Sequence, residues 1–339
     1  MKLSVIIPFY DAIGNIAKTI RKGLLQTLEN QTLSKSEFEV LIVDDLSPFS
    51  VEGIEDLTLD LKLIKLEKNM GVALARQVGI SQAKGDYITF IDNDDDLFSK
   101  DTLKVMLDNM DPSVKVLSTT ILEDTGQTNE KGKRVWLPHT NDKTWMHGKV
   151  YDRKFLIDNE ISFKPHLHYC EDAYFNNLAF ALAFDKVKFI KETTYLWKWN
   201  ENSITRRNNQ EFNTKYFCDY IKASKTSLNN LKSRNDDRLF FCVVNLAVQS
   251  LGYSYYFFQK RDFRKEASRK TPYYKEAIEQ FKSFYNQYEG MYDIIGDDLF
   301  IQNMNIARNL QSQSAMFIER QTFKQFIKSL GLRSHKVFD

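Results

Sequence analysis

Two rhythms of apolar and polar positions alternate along the first hundred residues. Short apolar runs, Leu3 to Ile7, Phe38 to Val43, Leu61 to Leu66 and Tyr87 to Ile91, are bounded by Pro, Gly or Asp and predict β-strands. Between them apolar residues recur at helical spacing. Ile16, Ile20, Leu24, Leu25 and Leu28 predict one helix over 14–29, and Ala73, Leu74, Ala75, Val78 and Ile80 predict another after the Asn69-Met-Gly71 turn. This order predicts an α/β domain with a mostly parallel, doubly wound sheet flanked by helices.

Farther along, the pattern predicts a helix over 101–109, a strand over 114–122, and a polar, glycine-containing loop over 124–133. His166 and His168 alternate in a predicted strand and would face one side, as a pair of metal ligands could. A helix follows over 173–184 with Phe175, Leu178, Ala179 and Leu182 as its core face, then strands over 187–190 and 194–198. Near residue 212 the pattern changes to long helical segments rich in Phe, Tyr, Lys and Asn, which divides the chain into 1–211 and a mainly helical 212–339. Residues 239–258 carry no charge but include Asn245, Gln249, Ser250 and Ser254. They predict a buried core helix rather than a membrane span, which would have to desolvate those groups.

Composition narrows the function classes. A chain of 339 residues has room for two domains, and a net charge of +2 gives no general attraction to nucleic acid. Cys170, Cys218 and Cys242 make neither a zinc spacing nor a paired framework, which suits reduced thiols in a cytoplasmic setting, free or peripheral at the inner face of a membrane. The run after Met1 is too short for a signal peptide and reads as the first strand. Residues 259–270 hold a basic run near Tyr273 and Tyr274 that could attract an anionic polymer, although a solvated helix face explains it as well. Phe323, Phe326, Ile327 and Leu330 recur at helical spacing in a tail suited to docking on the domain, a sister subunit or a membrane.

Two strand ends carry the candidate chemistry. Tyr87 to Ile91 runs into Asp92, Asp94, Asp95 and Asp96, and Phe38 to Val43 runs into Asp44 and Asp45. Open α/β sheets place ligand-binding groups at the C-terminal ends of their strands. Carboxylates there suit a hard divalent cation that bridges to substrate phosphates. The plain alternative is an acidic turn capping the helix after Ser99, with Asp95 and Asp96 solvated and Asp44 structural.

Ser4-Val-Ile-Ile-Pro-Phe-Tyr-Asp11, Val43-Asp-Asp-Leu-Ser47, Asn69-Met-Gly71 with Ala75-Arg76, Gly85-Asp-Tyr-Ile-Thr-Phe-Ile-Asp-Asn-Asp-Asp95 and Glu171-Asp172 follow one another in order. Together they resemble family 2 glycosyltransferases over residues 1–205. The resemblance implies a GT-A fold and an inverting transferase that uses Mn²⁺ or Mg²⁺ and a UDP-sugar donor. Its acceptor would be a hydroxyl of a bacterial surface polysaccharide, a teichoic acid or a glycan precursor. Pro8, Phe9 and Asp11 would line the nucleotide pocket and Asp45 would read the base. Arg76 would lie near the diphosphate, Asp92 would contact ribose or metal, and Asp94 would ligate the metal. Asp172 resembles the catalytic base, supported by Glu171, which could also bind acceptor hydroxyls. Trp145, His147 and Lys149 fall where relatives shape the acceptor pocket, and Arg206 and Arg207 lie in a segment similar to one that closes over the donor.

Such chemistry needs these residue types. Negative charge grows on the leaving diphosphate, and a carboxylate must accept the proton of the attacking hydroxyl. Asp172 could instead be only the N-cap of the helix that follows, and Arg206 and Arg207 a surface basic pair. Leu46 stands where the resemblance places glycine, which leaves the shape of that turn open. Two readings of the acceptor remain, a surface glycan or an anionic polymer such as modified DNA, and a third reading is a sugar-nucleotide-binding protein without turnover. The C-terminal helical part would serve acceptor binding, homo-oligomerisation or membrane docking.

Overall fold

The computed structural model describes residues 1–201, 203, 210–259, 272–288, 325 and 327–332. The chain divides into two compact units, 1–207 and 208–339. The basic run over 260–270, Arg206, Arg207, Phe323 and Phe326 lie outside the described residues.

In the first unit the described residues form one sheet of nine strands, ordered β3-β2-β1-β4-β8-β6-β9-β5, with β7 paired to β6. β1 (Leu3–Phe9), β2 (Phe38–Asp44), β3 (Leu61–Lys65) and β4 (Tyr87–Phe90) are parallel neighbours. Every residue of β1 and β2 is buried, because helices cover both faces and such strands read as continuous apolar runs. Ser4 is tolerated within β1 because its hydroxyl donates to Glu39 at 2.6 Å and accepts from the Gly85 N–H at 2.9 Å. The helix after the Asn69 turn, Val72–Gln82, docks tightly on β1: a Cβ at Gly79 would stand 2.3 Å from Ile6 Cγ2.

The other half of the sheet departs from the expected parallel order. β8 (Lys149–Asp152) is antiparallel to β4, β6 (Val116–Thr128) is antiparallel to β8, and β5 (Asp96–Leu97) is antiparallel to β9 (Val187–Trp197). The sheet is therefore mixed. β9 is one strand parallel to β6, not two separate pieces. The expected polar loop over 124–133 is instead the end of β6 turning into the edge strand β7 (Arg134–His139).

The helix expected over 14–29 is broken into Asn15–Thr19 and Leu24–Glu29, because Gly23 leaves helical geometry at φ −97° and ψ −110°. His166 and His168 lie in an irregular, exposed segment and not in a strand, so no shared strand face aligns them. The carboxylate of Asp11 accepts N–H bonds from Ile13, Gly14 and Ala17 at 2.7–3.0 Å and holds the start of the Asn15 helix.

In the second unit, helices Gln210–Ser233, Phe240–Gln259 and Pro272–Tyr288 pack together. Val243, Val244, Ala247, Val248, Leu251 and Phe257 form a buried face of the middle helix, and Phe257 stacks on Phe217 at 4.9 Å. Among the described residues no helix is long and apolar enough to cross a membrane.

Candidate active site

Asp92 leaves β4 and lies between the Arg76 guanidinium and the His147 imidazole. Arg76, projecting from the Val72 helix, donates through Nη2 to Asp92 Oδ1 at 2.7 Å and through Nη1 to Glu171 Oε1 at 2.9 Å. The second oxygen of Asp92 faces His147 Nε2 at 3.2 Å. Burial by itself would raise the Asp92 pKa, but the Arg76 guanidinium and His147 hold it well below the usual carboxylate range. Burial likewise works against the charge on Arg76, and Asp92 and Glu171 more than offset it. One buried guanidinium thus joins the β4 carboxylate turn to the Glu171-Asp172 pair.

Those two acids open the helix Glu171–Ala183, whose N-cap is Cys170 in the left-handed region at φ 59°. Asp172 is therefore not the N-cap, and its Oδ1 accepts the N–H of the adjacent Ala173 at 2.7 Å. Burial raises the pKa of Glu171 although Arg76 opposes it. Burial, followed by the neighbouring charge of Glu171, pushes Asp172 up to about 7. A carboxyl in that range can take a proton from an alcohol near neutral pH.

The C-terminal end of β9 holds the carboxylate turn from the other side. The Tyr195 hydroxyl accepts the Asp92 N–H at 3.1 Å and donates to Asp95 Oδ2 at 2.8 Å. The Lys198 N–H donates to Asp95 Oδ1 at 2.9 Å, and the Asn200 side-chain amide donates to Asp94 Oδ2 at 2.7 Å. Lys198 Nζ lies 3.5 Å from Asp96 Oδ2. Asp95 is thus not solvated. It is 2% exposed, and burial together with Asp94 and Asp92 pushes its pKa well above the ordinary range.

Ligand atoms of Asp92, Asp95 and His147 lie within 4.8 Å of one another. His147 Nδ1 is buried without a hydrogen-bond partner, and its ring stacks on Tyr195 at 4.6 Å. Two carboxylates and an imidazole in one largely buried cluster fit a divalent cation such as Mn²⁺.

The remaining expected site residues fall in different places. Both oxygens of Asp45 accept backbone N–H bonds, from Met70 at 2.6 Å and Gly71 at 2.7 Å, which fixes the Asn69 turn beside the end of β2. Asp44 is fully buried and accepts the Ser47 N–H. Pro8 and Phe9 are buried strand residues, with Phe9 in the hydrophobic core, so neither presents an open side-chain surface. Trp145 is half-buried and lies edge-on to His139 and Trp197. His147 sits against the carboxylates of Asp92 and Asp95. Tyr195, Lys198 and Asn200 escaped the sequence reading. Their only signal is the aromatic alternation Tyr195-Leu-Trp-Lys-Trp-Asn200 at a strand end.

Residues 4–167 match the model of glycosyl transferase family 2. An uncharacterised glycosyltransferase of Rickettsia conorii is 38% identical over 141 residues, covering 41% of this chain and 22% of its own length. The poly(ribitol-phosphate) beta-N-acetylglucosaminyltransferase TarS of Staphylococcus aureus is 29% identical over 228 residues, covering 64% of this chain and 38% of its own length. The chain thus spans well under half the length of these relatives. The crystal structure of S. aureus TarS 1-349 in complex with UDP-GlcNAc superimposes with a TM-score of 0.65 at 21% identity, over 91% of this chain and 88% of that one. That likeness extends the fold, a GT-A sheet with a helical C-terminal part, across most of the present chain. With the strand-end carboxylates, Arg76 and the Glu171-Asp172 pair in one connected cluster, the N-terminal unit of this chain belongs to glycosyl transferase family 2.

Proposed function

We propose that this chain is an inverting glycosyltransferase that moves a sugar from a UDP-sugar to a hydroxyl of a bacterial surface polysaccharide, teichoic acid or glycan precursor. The observation that carries the reading is the Arg76 bridge, which links Asp92 at the end of β4 to Glu171, beside Asp172. A donor diphosphate at the carboxylate turn and an acceptor hydroxyl at Asp172 would then share one site. The donor class draws support from the UDP-GlcNAc complex of TarS, and the acceptor class from the poly(ribitol-phosphate) acceptor in that relative's name.

Asp92, Asp94, Asp95 and His147 are the residues that would hold a divalent cation. A cation bound there supplies electrostatic stabilisation for the charge that grows on the leaving diphosphate. Asp172 takes the proton of the attacking hydroxyl, and its raised pKa suits that transfer near neutrality. Glu171, held by Arg76, keeps Asp172 from ionising too readily. A single displacement inverts the anomeric carbon and gives a β product from an α-linked donor.

A screen of UDP-sugars for Mn²⁺- or Mg²⁺-dependent release of UDP tests the reading. One donor is expected to be turned over, more slowly without acceptor than with it. UDP binding without turnover of any donor, across a range of glycan and polyol phosphate acceptors, would instead favour a non-catalytic sugar-nucleotide-binding protein.

A further inference from the structure

Lys149 opens β8 with its side chain fully buried, an arrangement that the chemistry above does not use. Its ammonium donates to Asp142 Oδ2 and to the Trp145 carbonyl, each at 2.5 Å, and to the His147 carbonyl at 3.4 Å. Asp142 in turn accepts the N–H groups of Thr144 and Trp145. From the other side, Asn176 donates its amide to the carbonyls of Thr144 at 2.8 Å and Trp145 at 3.0 Å, and the buried Tyr151 hydroxyl fixes that amide at 2.7 Å. Asn176 lies one helical turn after Asp172. The loop 142–148 is therefore tied down between the Asp172 helix and the carboxylate turn, with His147 at its end.

A buried ion pair is a poor way to gain stability, because desolvating both charges offsets their attraction, and well-packed neutral groups often do as well. Its geometric effect is more definite. Two of the three ammonium contacts are to the backbone carbonyls of Trp145 and of His147, whose ring faces Asp92 and stacks on Tyr195.

We propose that Lys149 is a positioning residue: its ammonium sets the 142–148 loop so that the His147 imidazole meets Asp92 and Asp95, and so sets the affinity of that cluster for a divalent cation. The inference rests on the cation-dependent reading above. Groups that orient a metal ligand without touching the metal are worth roughly 10–100-fold in affinity.

The test is Mn²⁺ binding to the full chain, followed by the electron paramagnetic resonance of free Mn²⁺ with no sugar nucleotide present. The double replacement Lys149→Met/Asp142→Asn removes both charges, roughly keeps volume and retains one oxygen to accept the Thr144 and Trp145 N–H groups. It is expected to melt cooperatively near the wild-type Tm and to bind Mn²⁺ about tenfold more weakly. In a His147→Ala background the same double replacement should cause no further loss, since the effect passes through that imidazole. Wild-type Mn²⁺ affinity in the double variant, or a loss that simply adds to that of His147→Ala, would overturn the inference while leaving the cation reading intact. Loss of a cooperative melt would also overturn it, by assigning the pair to stability. A wild-type chain that binds no Mn²⁺ would overturn both.

Discussion

Arg76 and Glu171, 95 positions apart in the chain, meet at 2.9 Å, and the same guanidinium reaches Asp92 at 2.7 Å. The planar fork of arginine can serve two carboxylates at once, whereas the ammonium of lysine acts as a point charge on a flexible stem. Arg76→Lys should therefore keep part of the charge balance but lose the bridge, lowering kcat/KM about 100-fold, the scale of a lost positioning contact. Arg76→Ala leaves buried carboxylates unpaired and should cost about 3–5 kcal/mol of stability in urea unfolding. Wild-type turnover in Arg76→Lys would show that the two acids do not work as a unit.

Asp172 pays a stability penalty for its position. Its pKa is about 7 in the folded chain against an ordinary 3.8. Between those values the folded state holds a proton that the unfolded state has released, so this group's contribution to stability falls as pH rises from 4 to 7. Asp172→Asn should thus raise Tm at pH 8 by at least about 2–4 °C, the shift that each 1 kcal/mol brings in a domain of this size, and change it little at pH 4. The same variant should keep UDP affinity and lose transfer. In the wild type, kcat/KM should fall below an apparent pKa near 7, a value that belongs to the coupled Glu171-Asp172 pair. Equal loss of UDP binding and transfer in Asp172→Asn would remove it from the role of base.

The parallel half of the sheet was legible in the sequence because strands covered on both faces must be apolar at every position, as in Leu3–Phe9 and Phe38–Asp44. The β6–β7 hairpin was not, since β7 is an edge strand in which Trp136, Leu137 and Pro138 are adjacent and all exposed, so its apolar residues do not alternate with polar ones. At the site, Asp92, Arg76 and Glu171-Asp172 could be read as motifs, and they come together in space. The hold of β9 on the carboxylate turn could not be read. One of its bonds is the backbone N–H of Lys198, which leaves no trace in side-chain identity, and another joins Asp94 to Asn200 across 106 positions.

Leu46 shows how a departure from a family pattern can be read physically. It replaces the expected glycine of the Asp44-Asp45 turn, yet its φ is 56°, in the left-handed region where a Cβ is crowded. Its side chain is 42% exposed and gains little from packing. Leu46→Gly should relieve strain of about 1–2 kcal/mol, less ~0.5–1 kcal/mol for the greater freedom of glycine when unfolded. A small rise in Tm with unchanged Asp45 contacts is expected. A fall in Tm would mean that the Leu46 side chain makes a stabilising contact worth more than the strain.

Asp95 separates a cation site from a solvated acidic turn. Burial comes first among the causes that push its pKa up, followed by the charges of Asp94 and Asp92, so the folded chain without metal keeps a proton there to higher pH than an exposed aspartate does. A divalent cation bound to Asp92, Asp95 and His147 would reverse that balance and displace the proton, because ligands must be deprotonated to bind. Mn²⁺ binding should therefore release protons, and its affinity should rise as pH is raised toward neutrality. Calorimetric titration in two buffers of different ionisation enthalpy measures the release directly. Asp95→Asn should reduce it, while Asp96→Asn, two residues from Asp94 and facing Lys198, should leave it unchanged. Binding with no proton release in the wild type would place the cation on groups already ionised and take Asp95 out of the site.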